Sequence, residues 1–178
     1  MRALTLAAFA DEVAPLARAG DAVTAARETA LRLPRLLANA SLLAPEQRQA
    51  NDESYTQHLL YVDPEGAFSV VALVWKPGQS TPVHDHVAWC VVGVYEGEEL
   101  ETRYRIETGE GGRRLVPTGA ARHVRGEVVW LVPGGEGDLH RVSNPADRTA
   151  ISIHVYGADI GRLGTSIRMR YPLPEAAS

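Results

Sequence analysis

The chain has a single cysteine in 178 residues, so no intramolecular disulfide can form. That excludes a cross-linked extracellular scaffold and makes a reducing, cytoplasmic setting the expectation. Long apolar runs are also missing. Stretches such as Phe68–Trp75 are far too short for a bilayer. The opening MRALTLAAFADE meets Asp11 and Glu12 before any usable hydrophobic region, which makes a poor signal peptide. No membrane is expected as a partner. Positive charge is not in excess, the net charge being −4, and generic nucleic-acid binding needs a basic face. No repeat with a period of roughly 20–50 residues is visible. What the chain does have is 45% hydrophobic residues and 22% charged residues of both signs, the composition of one compact folding unit. Against the one cysteine stand six histidines, and that imbalance points to chemistry.

Residues 1–50 form a helical segment in this reading. Leu6, Phe9, Val13 and Leu16 recur three or four apart, as one face of a helix requires, with Thr5 placed to cap the start and Gly20 to end it. A second helix is expected from Asp21 to about Leu33, with Pro34 and Pro45 bracketing a third short piece. From Tyr55 the texture changes to short β-branched and aromatic runs broken by Gly, Pro and Asp. The expected strands are Tyr55–Val62, Phe68–Trp75, Trp89–Tyr95, Glu99–Ile106, Arg113–Val116, Glu127–Val132, His140–Ser143 and Ala150–Tyr156. Short strands at this spacing predict a mainly β sandwich or small barrel over residues 51–170. The helical segment is expected to pack on it, and a Pro- and Ala-rich tail at 171–178 is expected to be loose.

The sharpest local feature is His84-Asp85-His86. Residues i and i+2 of a strand point to one side, so both imidazoles can face one point. A second segment, Gly137 to Asn144, carries His140 after a Gly-rich turn. The two segments together resemble the paired motifs of the cupin superfamily. Gly78, His84, His86 and Gly97 match the first motif, and Gly137, His140 and Asn144 the second, with Pro133 two residues early for its upstream proline. The resemblance implies a double-stranded β-helix, a jelly-roll barrel. Where the motif usually has a metal-binding Glu, this chain has Cys90. Three imidazoles without a carboxylate leave a bound divalent ion its full charge and leave coordination positions open. They do not by themselves choose the metal. Soft sulfur and dioxygen chemistry are compatible with such a site.

Ser152, His154 and Tyr156 alternate along Ser152-Ile153-His154-Val155-Tyr156 and share one face of a strand. With the stretches TPVHDHVAWCVVGVYEG and GDLHRVSNPADRTAISIHVYGADIG, this row resembles the Ser-His-Tyr triad of the cysteine dioxygenase family of thiol dioxygenases. Those are non-haem iron cupins that insert both atoms of O2 into a thiolate to give a sulfinate. The resemblance implies that His84, His86 and His140 bind one Fe(II) per chain while Ser152 and His154 orient Tyr156 beside it. A phenol held by an imidazole can donate to a bound oxygen or substrate. Cysteine dioxygenases carry Arg in a Tyr-Thr-Arg stretch where bacterial relatives carry Gln. This chain reads Tyr55-Thr56-Gln57, similar to the 3-mercaptopropionate dioxygenase branch. Strand alternation turns Tyr55 and Gln57 to one side and His58 to the other. The resemblance further implies an Arg after the triad for the substrate carboxylate. The run Gly157 to Arg170 departs from the pattern GADIGAVRR of that branch, leaving Arg168 and Arg162 as candidates, Arg168 favoured. In animal cysteine dioxygenases a Cys one position later than Cys90 forms a thioether with the triad Tyr. Cys90 can bond Tyr156 only if strand register allows, the alternative being a small buried thiol.

The expectation is an Fe(II) thiol dioxygenase that takes a small thiol carboxylate and O2 as partners, 3-mercaptopropionate first and cysteine next. Readings of other classes are a cupin metalloprotein with a non-thiol substrate, as another oxygenase or an isomerase, a small-molecule sensor, or a metal-free interaction module. His123, in an Arg-flanked and turn-like stretch, and His58 receive no role. Nothing in the sequence bears on oligomeric state.

Overall fold

Apolar residues recurring every three or four positions form α1 (Leu6–Arg18) and α2 (Ala22–Leu37). The computed structural model describes residues 3–109 and 112–173. Thr5 Oγ accepts from the Ala8 amide at 3.2 Å and Asp21 Oδ1 from Val23 at 3.2 Å, satisfying amides that have no partner inside the helix. The bracket expected at Pro34 is not a boundary, because α2 runs on to Leu37. Burying Leu36 and Leu37, at roughly 1.5–3 kcal/mol each, outweighs the ~3 kcal/mol that a proline costs inside a helix. The third helical piece is a 3-10 turn, Pro45–Arg48.

Among the described residues ten strands follow: β1 (Thr56–Val62), β2 (Ser69–Trp75), β3 (Val83–His86), β4 (Cys90–Glu96), β5 (Glu98–Gly109), β6 (Gly112–Val124), β7 (Val128–Leu131), β8 (His140–Ser143), β9 (Ala150–Tyr156) and β10 (Ile167–Tyr171), with a helical turn, α3 (Ile160–Leu163), before the last. They form two antiparallel five-stranded sheets in the orders β1-β2-β9-β4-β7 and β10-β3-β8-β5-β6. The protein is thus mainly β, a double-stranded β-helix with N-terminal helices.

Every residue of β2 and β9 is buried. Their alternation serves two cores. Val70, Ala72, Val74, Ile151, Ile153 and Val155 pack outward with the helices, while Val71, Leu73, Trp75 and Tyr156 face the barrel interior. A strand covered on both faces reads as an unbroken apolar run, which is what Val70–Trp75 is. The helices are also tied to the barrel by a polar contact. The buried Asp63 carboxylate, in the turn after β1, accepts from Arg18 Nη2 at 2.6 Å and from the Glu65 and Ala67 amides at 3.2 Å.

Three expectations need correction. The short strand at Arg113–Val116 is part of a long β6 that pairs with β5 through a register shift at Arg103/Tyr104. Pro117 and Gly119 do not stop it because β6 is an edge strand, where a missing amide donor leaves no ladder bond broken. His123 consequently lies within a strand, not a turn. Strand β10 was not anticipated, and it carries the chain to Tyr171, the first residue of the expected loose tail; residues 174–178 lie outside the described residues. Among the described residues no helix is long and apolar enough to cross a membrane.

Candidate metal centre

His84 and His86 leave β3 on its inner face, and His140 sits directly opposite His84 on β8. Gly137 lies just before it, its φ of 83° being a left-handed conformation that favours glycine and turns the chain into β8. The three ring centroids are 4.8, 4.9 and 5.0 Å apart, and their donor nitrogens lie within 4.8 Å of one another.

Each ring has its Nδ1 committed. The acceptors are Pro82 O at 3.0 Å for His84, Asp138 Oδ1 at 3.0 Å for His86 and Glu101 Oε1 at 2.8 Å for His140. An Nδ1–H donor in each case leaves the Nε2 lone pair free, the arrangement that outer carboxylates and carbonyls impose on metal-binding imidazoles. Burial, then the charges of His140 and His86, drop the pKa of His84 to about 3. Burial likewise lowers His140. These two rings are therefore neutral at physiological pH, as metal ligands must be. Burial alone would raise Glu101 and Asp138, but the hydrogen bonds from His123, His140 and Arg103 to the first, and from His86 and the Gly134 amide to the second, win and hold both low. The donor set fits a divalent transition metal with open positions.

Across the interior, β9 presents the second constellation. Tyr156 Oη and His154 Nδ1 are 3.0 Å apart, His154 Nε2 and Ser152 Oγ 2.9 Å, and Trp75 Nε1 donates to Ser152 Oγ at 3.2 Å. The Tyr156 ring stacks at 6.5 Å from His86, which brings the row beside the histidine cluster. Burial drops His154 to about 3 and raises the Tyr156 phenol well above its ordinary value, so both are neutral. After Tyr156 the chain needs Gly157, since a Cβ there would lie 2.0 Å from Trp89 Nε1.

Tyr55, Gln57 and Ile167 line, with the histidines, Trp75 and Tyr156, a small cavity of about 30 Å³. Gln57 is exposed at its mouth. Arg162, Arg168 and Arg170 are all exposed and none is among the lining residues. Arg168 is ion-paired with Asp85, which also accepts from Tyr171 Oη at 2.9 Å, on the outer face of β3, and Arg162 is exposed on α3. The cause is a bulge in β10 between Ile167 and Met169, which turns Arg170 to stand opposite His84. Arg170 is close enough to Tyr55 to lower its phenol pKa against the dominant effect of burial. Sequence spacing did not single out Arg170, Trp75 or the carboxylates Glu101 and Asp138; only a known register could have. Asn144 acts structurally, its amide donating to Trp75 O at 3.1 Å and to Arg148 O at 2.8 Å. Cys90 stands opposite Tyr156 between β4 and β9 and is fully buried. His58 lies off the site, and His123 Nε2 is 3.5 Å from Glu101 Oε2.

A family model described as cysteine dioxygenase type I matches residues 45–162. Among solved structures, a protein with a double-stranded β-helix domain from Klebsiella pneumoniae is similar with a TM-score of 0.48 and 17% identity, over 68% of this chain and 92% of that one. A cupin superfamily protein from Desulfitobacterium hafniense is similar with a TM-score of 0.45 and 9% identity, over 62% and 84%.

Proposed function

Because this chain belongs to the cysteine dioxygenase type I family, we propose that it is an Fe(II)-dependent thiol dioxygenase that converts a small thiol carboxylate to its sulfinate. The preferred substrate is 3-mercaptopropionate, with cysteine next. The observation that carries the reading is the cluster of three imidazoles with every Nδ1 engaged, faced by a buried phenol that an imidazole holds.

His84, His86 and His140 would hold one iron. When bound, the iron supplies a centre at which a thiolate and dioxygen meet. The residues around it do the rest. The apolar wall of Leu73, Trp75, Val92 and Val142 excludes water from the sulfur end of the cavity. Tyr156, neutral and held by His154, offers a hydroxyl that can give or take a proton at the reacting sulfur and oxygen atoms. Gln57 and Tyr55 at the mouth would bind the carboxylate through hydrogen bonds. We assign its charge partner to Arg170, since Arg168 already neutralises Asp85 and Arg162 sits apart on α3. An amide holds a carboxylate less firmly than a bidentate guanidinium, so a site with Gln57 requires such a cation nearby.

The test is oxygen uptake by protein reconstituted anaerobically with Fe(II) and given 3-mercaptopropionate, cysteine, cysteamine and mercaptosuccinate in turn. Uptake matched by sulfinate, fastest with 3-mercaptopropionate, is expected. Absence of uptake with every thiol overturns the reading and leaves a cupin metalloprotein with a non-thiol substrate.

A further inference from the structure

Beyond Ser152 lies a carboxyl that none of the roles above employs. Glu99, the second residue of β5, is 2% exposed, and its Oε1 has no hydrogen-bond partner among the described residues. It borders a second cavity, about 20 Å³, walled by Val92, Val94, Val129 and Val142 and edged by His123 and Glu127. That is room for roughly one water. A charged carboxylate with an unpaired oxygen is expensive in such a setting, whereas a neutral acid is not. Burial accordingly raises Glu99 to about 7, although Ser152, His123 and Trp75 are close enough to pull it down; Glu101 pushes it further up.

The proposed reaction creates a need that this position answers. A thiol and dioxygen give a sulfinate and one proton, RSH + O2 → RSO2⁻ + H⁺, so each turnover must dispose of the thiol proton inside a closed site. We infer that Glu99 is the terminal acceptor of that proton, reached through Tyr156, His154 and Ser152. The inference rests on the thiol dioxygenase reading.

Before transfer, Tyr156 O–H donates to His154 Nδ1 and His154 Nε2–H to Ser152 Oγ, which leaves the Ser152 hydroxyl proton free to turn toward the neighbouring Glu99 carboxyl. Trp75 Nε1–H occupies another lone pair of Ser152 Oγ and fixes that hydroxyl's direction. The thiol gives its proton to Tyr156 Oη, the phenol proton moves to Nδ1, the Nε2 proton moves to Ser152, and the serine proton ends on Glu99. The products are a thiolate and a neutral carboxylic acid, with no electrons moved. His154 changes tautomer but never becomes a cation, consistent with a ring whose pKa is near 3. Glu99 then releases the proton through the second cavity toward His123 and Glu127. Hydroxyl rotation and imidazole tautomerisation restore the row.

Glu99 acts through Ser152, so it is a positioning and proton-holding residue. The ionisable groups around it are Glu101 on its own strand, His123 on β6, Glu127 ahead of β7, His140 on β8, Cys90 on β4 and Tyr156 on β9. The hydrogen bond to Glu101 raises His123 above its ordinary value, so His123→Gln serves as the control.

Two measurements test the inference. In infrared difference spectra of the metal-free protein, a protonated-carboxyl C=O band should vanish as pH rises through about 7, persist in His123→Gln and be absent from Glu99→Gln. With iron restored, Glu99→Gln should retain its iron and its KM for the thiol while kcat falls tenfold or more and the acidic limb of the pH profile disappears. Glu99→Asp should recover part of the rate. Should Glu99→Gln fail to fold, Ser152→Ala, which cuts the same link, should lose the same limb. Absence of the band, or an unchanged pH profile in an iron-replete variant while the wild type turns over, overturns the inference alone. A wild type that consumes no oxygen with any thiol overturns it together with the reading beneath it.

Discussion

Cys90 and Tyr156 face each other directly across β4 and β9, a register that turns both side chains to the same side of the sheet. Both are buried, and burial pushes the thiol pKa up, so Cys90 is a protonated thiol within reach of the phenol ring. Dioxygen can oxidise such a pair to a thioether with loss of two hydrogens. Protein purified after turnover is expected to contain a fraction lighter by that amount, unaffected by reductant and mapping to a Cys90–Tyr156 peptide. The fraction should be absent from Cys90→Ala. A thiol that remains fully alkylatable in the denatured protein after many turnovers would contradict it.

His140→Ala removes one of three imidazole donors from a barrel that β8 otherwise builds from backbone pairing. The fold should survive by circular dichroism while iron retention after desalting drops below a tenth of stoichiometric. Tyr156→Phe, in contrast, should retain iron and lose kcat by ~100-fold, the scale of a lost general acid or base.

Glu101 fixes the tautomer of His140 from its buried position on β5. Glu101→Gln puts an amide against Nδ1 and is expected to weaken iron binding by ~10–100-fold. Competition with a chelator of known affinity measures this, and an unchanged constant would show that the carboxylate does not orient the ring.

Arg170→Gln should raise KM for 3-mercaptopropionate by about tenfold and leave KM for cysteamine, which has no carboxylate, unchanged. Arg168→Gln should leave both values alone. The opposite pattern would return the carboxylate contact to Arg168.

Glu99 and His154 pull the stability of the metal-free protein in opposite directions with pH. As pH falls from 6.5 toward 3, the unfolded chain protonates His154 and the folded one does not, so stability is lost. As pH rises from 4.5 toward 7, the folded chain keeps a proton on Glu99 that the unfolded one gives up, so stability is again lost. The two slopes, each about 1.4 kcal/mol per pH unit, cancel over their shared range. Glu99→Gln leaves the His154 slope unopposed, and its stability relative to wild type should climb by that amount per unit between pH 4.5 and 7. Urea denaturation across that range measures it, and a difference that stays flat with pH would contradict the shift.

The residues that make the centre were readable because their chemistry depends on local spacing. His84 and His86 two apart, and Ser152, His154 and Tyr156 two apart, share a face in any regular strand. Joining them to His140 required only that two motifs close on one metal. What spacing could not supply is cross-strand register. The β10 bulge, which separates Arg168 from Arg170, adds a residue without any glycine or proline to announce it. Glu99, Glu101 and Asp138 look like surface carboxylates in the chain, and only burial between sheets makes them otherwise. Pro34 does not bound α2 because leucines hold the helical end, and β6 runs past Pro117 because it lies on an edge.

Strand β10 pairs only with β3, the strand that carries two of the three metal-binding imidazoles. Without β10, β3 would be an open sheet edge, paired with β8 alone. A chain cut before residue 167 would keep His84 opposite His140 but leave the other edge of β3 open, where a strand of another chain could add beside two of the metal-binding imidazoles.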